Sequence, residues 1–243
     1  MKSLTYIHYE ILRTIRNRRF LIFSLIFPLI LFLAIAGENR HVQLDGIGFP
    51  LYFMTGMASW GSMTAIVSIG GKIATERQVG WTRQLRVTPL KTSTYFTAKV
   101  LTGYMTALFS IVVLALAGTS LGVRLDATTW LTMLGLLLVG LIPFVLIGIM
   151  LGHLVSVDSL GPALGGITSL FALLGGSFGP LAKKGVLLTI VKLLPSYWLV
   201  QAGHSALLGS HVWTGEAWIV LAVWTLVMLR LTVVVYRRDT ARV

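Results

Sequence analysis

The chain has 243 residues, 56% of them hydrophobic and 12% charged, with a mean hydropathy of +0.84. Soluble domains carry about 25% charged residues, so a water-soluble enzyme or binding module is excluded and the bilayer is the solvent against which the sequence is patterned. The formal net charge of +12 is distributed between apolar runs rather than gathered into a nucleic-acid-binding patch, and the absence of cysteine excludes disulfides and thiolate metal sites.

Residues 1–19 set Leu4, Ile7, Ile11, Leu12 and Ile15 at helical spacing among Arg13, Arg16, Arg18 and Arg19. This pattern predicts a basic amphipathic helix lying on the membrane; a plain basic topology signal is the other reading. A first span is predicted over 20–37, carrying Pro28. Ala34-Ile35-Ala36 imitates a leader cleavage site, but the polar region before it is long and the apolar run exceeds the 7–15-residue core of a leader, so the span is expected to be retained.

The second span, 49–71, is unusually polar, with Thr55, Ser59, Trp60, Ser62, Thr64 and Ser68. Hydroxyls at such spacing bond neighbouring membrane helices or line a pathway, and these six are the candidate pathway residues. A polar segment, 72–91, separates this span from the next three, at 97–120, 129–152 and 159–182. Gly118/Gly122, Gly148/Gly152, Gly161/Gly165 and Gly175/Gly179 lie four apart in that region, a spacing expected to serve packing within the chain. His153 and Asp158 are read as interfacial. The stretch 185–213 contains Pro195, Gln201, His204, Ser205 and His211 and is too polar for a full crossing, so it is expected to form a re-entrant or interfacial helix pair hinged near Pro195. The last span, 217–236, is interrupted by Arg230, near enough to its end to snorkel.

The expected fold is therefore an all-α polytopic membrane protein in one domain, 1–243, with six transmembrane helices, an N-terminal interfacial helix and a re-entrant pair before the last span. With six spans, fifteen of the twenty basic residues fall on one side, which the positive-inside rule assigns to the cytoplasm. Both termini are then cytoplasmic, in the cell membrane.

The segment 72–91 mixes charge with apolar anchors and ends at Pro89, which cannot continue a helix. Val79, Leu85 and the ring of Trp81 are expected to bury against the membrane-side helices, leaving Glu76, Arg77, Arg83 and Arg86 for a soluble partner. Glu76-Arg77, Gly80, Leu85 and Thr88-Pro89-Leu90 resemble the corresponding loop of the permeases of type-two ATP-binding-cassette exporters. Trp81 to Arg86 is similar to a variant found in actinobacterial members, and Gln78 and Trp81 depart from the acidic residue and Thr common in the family. The basic start, Pro28 in the first span and the Leu194-Pro195 to Gly209 stretch extend the resemblance along the whole chain.

The resemblance implies a coupling helix over 72–91, with Glu76, Arg77, Gly80, Trp81, Arg83, Leu85, Arg86 and Pro89 as the ATPase-coupling residues. It also implies two copies of a cytoplasmic ATP-binding-cassette ATPase and a second permease, identical or related. The chain has no Gly-x-x-x-x-Gly-Lys-Ser/Thr turn to hold phosphates, so no cofactor and no metal is expected on it; ATP and Mg belong to the partner ATPase. The reading is of a transport subunit, not an enzyme, that exports a hydrophobic or amphipathic substrate, most simply a drug or antibiotic, and meets membrane lipid but no nucleic acid. Two other classes stay open: an ion-coupled carrier or channel, for which the first five spans lack the usual midplane carboxylates, and a membrane scaffold or immunity factor.

Overall fold

A computed structural model describes residues 2–44, 46–88, 90–180, 184–208 and 213–241. Among the described residues the secondary structure is helical, apart from a two-stranded hairpin in which β1 (Gln43–Leu44) pairs antiparallel with β2 (Ile47–Gly48). Among the described residues, four helical stretches are long and apolar enough to cross a bilayer: α6 (Thr92–Ser120), the pair α7 (Ala127–Gly140) and α8 (Ile142–Leu154) taken together, α9 (Val157–Gly175), and α12 (Gly215–Ala241) over residues 215–239. Counting α10 (Val186–Lys192) with α11 (Pro195–Leu208) as one bent span makes five. These two meet at 91°, with the bend immediately before Pro195, whose ring cannot continue a helix arriving from its N-terminal side.

Two of the expected spans differ from those four for separate reasons. α2 (Arg18–Glu38) offers a described apolar stretch of only Leu25–Glu38. α3 (Phe49–Val67) falls short in apolarity because of its hydroxyl residues, yet it is the most enclosed helix of the fold, buried from Phe53 through Gly61 without interruption. It packs against α2, α6, α8, α9 and α11, so protein rather than lipid solvates it. α9 ends at Gly175 instead of near 182, because Gly176 turns the chain into the left-handed region (φ +84°), which favours glycine.

Most hydroxyls of α3 and its C-terminal cap are satisfied by the helix's own carbonyls. Thr55 Oγ1 donates to Tyr52 O at 2.7 Å, Ser62 Oγ to Ser59 O at 3.1 Å and Ser68 Oγ to Ala65 O at 2.5 Å. Ser59 Oγ donates to Thr55 O at 2.8 Å and lies 3.1 Å from Leu199 O of α11. Such bonds let hydroxyls sit in a dry interior with their donors occupied. Thr64 Oγ1 and Trp60 Nε1, although buried, have no hydrogen-bond partner among the described residues.

Below α3 the chain continues as α4 (Ile69–Gln78), which crosses α8 with backbone against backbone. A Cβ on Gly152 would lie 2.7 Å from Gly70 O and 2.8 Å from Ile73 Cβ, and one on Gly148 2.7 Å from Val67 O. The expected packing role thus describes Gly148/Gly152; it does not describe Gly161 and Gly165, whose Cβ positions point into open space. Gly152→Val should therefore force α4 from α8 and destabilise the protein by about 1–3 kcal/mol or more, whereas Gly161→Ala should be neutral or slightly stabilising, as read from thermal unfolding of the two purified variants.

Candidate functional site

α4 ends in Glu76-Arg77, and adjacent helical residues point about 100° apart. The two side chains consequently engage different sets of helices. Glu76 turns toward α1 (Lys2–Arg16) and the start of α6. Its Oε1 accepts from Lys99 Nζ at 2.5 Å and from Arg13 at 2.8 Å, while its Oε2 accepts from the Tyr95 hydroxyl at 2.8 Å. Lys99 is fully buried and also donates to Glu10 Oε1 at 2.5 Å, so one ammonium joins α1 to α4.

Arg77 turns the other way. It donates to Gly152 O at 2.9 Å and to Asp239 Oδ1 at 2.5 Å. The first of these bonds supplies a donor to a carbonyl in the last turn of α8, where the helix itself has none left to offer. Asp239 accepts in addition from His153, whose Nδ1 lies 2.8 Å from Oδ2, and the His153 ring meets Tyr236 edge-on at 5.3 Å. Arg77 thereby fastens α4 to the ends of α8 and α12.

This geometry corrects the expected exposure of the segment. Glu76 is 1% exposed and Arg77 is largely enclosed in its pair with Asp239, so neither is presented to a soluble partner. Val79, expected to bury, is 68% exposed, and Trp81 and Val87 are exposed as well; Leu85 is half-buried. The physical reason is that α4 enters a ring of polar groups from α1, α6, α8 and α12, and charged side chains are the ones able to satisfy them. The segment is also two helices rather than one: Gly80, at φ +71°, ends α4 and starts α5 (Trp81–Arg86). The side chains of Arg83 and Arg86, and Pro89 as a whole, lie outside the described residues.

Glu10, Tyr95, Lys99 and Asp239 were not among the residues singled out from sequence. A signal for two of them is present: Glu10 is the only acid before Glu38 in a strongly basic segment, and Lys99 is a cation inside the opening turns of an otherwise apolar helix. The pairing of Asp239 with Arg77, 162 positions away, has no local signature.

Removing one member of a buried ion cluster leaves its partners charged and unpaired. Lys99→Met should destabilise the protein by about 3–5 kcal/mol, and adding Glu10→Gln and Glu76→Gln to that variant should recover most of the loss, because interacting sites are non-additive. Thermal unfolding of the single and triple variants measures both.

Residues 3–208 match the family model described as ABC-2 type transporter. The chain is also similar to a protein of Bacillus subtilis (strain 168) that bears the provisional name transport permease YvfS. The two are 27% identical over 192 residues, covering 77% of this chain and 78% of the relative.

Proposed function

The chain belongs to the ABC-2 type transporter family and is a membrane-embedded transport subunit that works with an ATP-binding-cassette ATPase; from that premise we propose that it is the permease of an ATP-driven exporter. In this reading two ATPase copies, carrying ATP and Mg, dock beneath two permease copies, and both termini of the permease face the cytoplasm. The substrate is hydrophobic or amphipathic, with a drug or antibiotic as the leading class.

The observation that carries the proposal is the division of labour around Gly80. On one side, Val79, Trp81 and Val87 are exposed apolar side chains on a segment otherwise rich in charge, the kind of surface that partners cover. On the other, Glu76 and Arg77 tie α4 to α1, α6, α8 and α12. When the ATPase dimer closes on nucleotide, a displacement of α5 reaches α4 through Gly80, and the two ion clusters distribute it among four helices at once. Arg83 and Arg86, on α5, supply the charge that meets the ATPase.

The path for substrate is proposed to run beside α3 where two permeases meet. Thr55, Ser59, Ser62 and Ser68 act there as packing groups because their hydroxyls already have partners. Thr64 and Trp60, with unpartnered polar atoms, are the better candidates for contact with a passing substrate.

Val79→Asp and Trp81→Ala should weaken co-purification of the ATPase and lower ATP-dependent efflux, because each removes apolar area from the docking face, while leaving the thermal stability of the permease alone unchanged. Gly80→Val should also lower efflux, since a β-branched residue is strained at positive φ. Transport by the chain alone, driven by an ion gradient without ATP, would overturn the proposal in favour of a secondary carrier.

A further inference from the structure

Two segments of non-helical backbone lie at membrane depth beside α3 and α12. After α9, Gly176 and Gly179 turn the chain at positive φ, and Ser177 O occupies the place that a Cβ on Gly56 would take. Gly56 stands about 10 Å along α3 from Phe49. The bend between α10 and α11 is equally deep. Leu193 O accepts from Trp224 Nε1 at 2.8 Å, and Trp224 stands about 14 Å along α12 from Gly215. In a bilayer, backbone that leaves the helix is tolerated where it is buried in protein or lines a wet cavity.

A cavity of about 70 Å³ adjoins both segments. Gly176 and Pro180 line it from the first, Tyr197, Gln201 and His204 from α11, and Tyr52 from α3. His204 is 3% exposed. Its ring stacks on that of Tyr52 with centroids 4.3 Å apart, and its Nε2 lies 3.4 Å from Tyr52 O. A carbonyl only accepts, so Nε2 carries the hydrogen and Nδ1 is an acceptor. Gln201 adds an amide that both donates and accepts. At the margin, Ser177 Oγ and Ser196 Oγ are buried with no hydrogen-bond partner among the described residues, and each adjoins a lining residue in the chain, Gly176 and Tyr197 respectively. Buried polar groups ordinarily find partners, and a cavity of this size and polarity can admit water.

The lining also restricts what else can enter. None of its described residues is a carboxylate, lysine or arginine, so an ammonium, a phosphate or a carboxylate would arrive without a counter-charge, at a high cost in lost hydration. A purely apolar group would leave the amide and the imidazole unpaired. An uncharged group that donates and accepts at once meets both requirements. Leu174 and Val191 supply apolar walls against which an attached hydrocarbon can lie.

We propose that this cavity binds the uncharged hydroxyl or carboxamide head of an amphipathic molecule, with the head bonded to Gln201 and His204 in the place that water otherwise fills. The inference deepens the exporter reading, on which it rests for the outward placement of the α10–α11 bend, by naming the head group that the exported molecule carries.

The test uses the full chain in phosphatidylcholine nanodiscs and a photoactivatable alcohol, 3-azioctanol, as probe, with sites of insertion located by peptide mass spectrometry. The azialkane lacking the hydroxyl and the corresponding ammonium are the comparison probes. Insertion within 197–204 should saturate for the alcohol, be displaced by octanol, and exceed that of either comparison probe about fivefold. Gln201→Leu and His204→Phe should each weaken it about fivefold, the second while keeping an aromatic ring on Tyr52. Gln201→Glu should turn the preference toward the ammonium, a gain that a misfolded variant would not show. Equal insertion by alcohol and azialkane overturns the site, as does a wild-type preference for the ammonium or the absence of saturable insertion within 197–204.

Orientation is tested separately. Because the chain lacks cysteine, a single Gln78→Cys can be labelled with a membrane-impermeant reagent. Labelling from outside the cell sinks the topology, and with it both the exporter reading and the outward site. Labelling from the cytoplasmic side, combined with probe insertion that ignores Gln201 and His204, sinks the site alone.

Discussion

The fold at its polar end depends on keeping Lys99 charged without water. A buried ammonium costs several kcal/mol in lost hydration, and the protein offsets that cost by bringing Glu10 and Glu76 from two other helices to 2.5 Å of the same nitrogen. The positions of α1, α4 and the start of α6 are then not independent. None of the three can withdraw without stranding a charge, so the region moves as a unit or not at all. The Arg77–Asp239–His153 group does the same for α4, α8 and α12, and α4 is the element common to both clusters.

Much of the architecture was legible in the sequence because membrane helices announce themselves through long apolar runs. The spans at α6, α7–α8, α9 and α12, the amphipathic α1 and the bend before Pro195 were each expected from hydropathy, spacing or proline. What hydropathy misjudged was environment. It counted α3 as one more span, and although its hydroxyls were expected to bond neighbouring helices or line a pathway, hydropathy does not show how fully other helices enclose it. It also assigned Glu76 and Arg77 to the surface and Val79 to the interior, since a charged residue near a membrane is ordinarily found in water. That rule fails where several charged segments converge, and convergence of Glu10, Glu76 and Lys99 depends on contacts 23 to 89 positions apart, which no local pattern encodes. The Glu76-Arg77 motif drew attention to α4, and its two side chains turn out to face the permease itself.

Shape complementarity at α4 and α8 complements the ionic attachment. Glycine at 70, 148 and 152 lets carbonyls approach where a side chain would intervene, as is usual where membrane helices lack a hydrophobic force to draw them together. The close crossing also brings Arg77 within reach of Gly152 O, so the packing and the polar contact reinforce each other. In contrast, α9 and α12 are sparsely covered, with 17% and 11% of their apolar stretches buried, and α12 turns Trp218, Ile219, Val223 and Leu226 outward.

The enclosure of α3 bears on how the chain is made. A segment with this many hydroxyls gains little by partitioning into hydrocarbon alone, and the helices that surround it include α6, α8 and α11, all synthesised afterwards. Residues 49–67 must accordingly be sheltered, by the insertion machinery or by α2, until those later segments emerge from the ribosome, so biogenesis of this protein is cooperative even though most of its rods can enter the membrane one at a time.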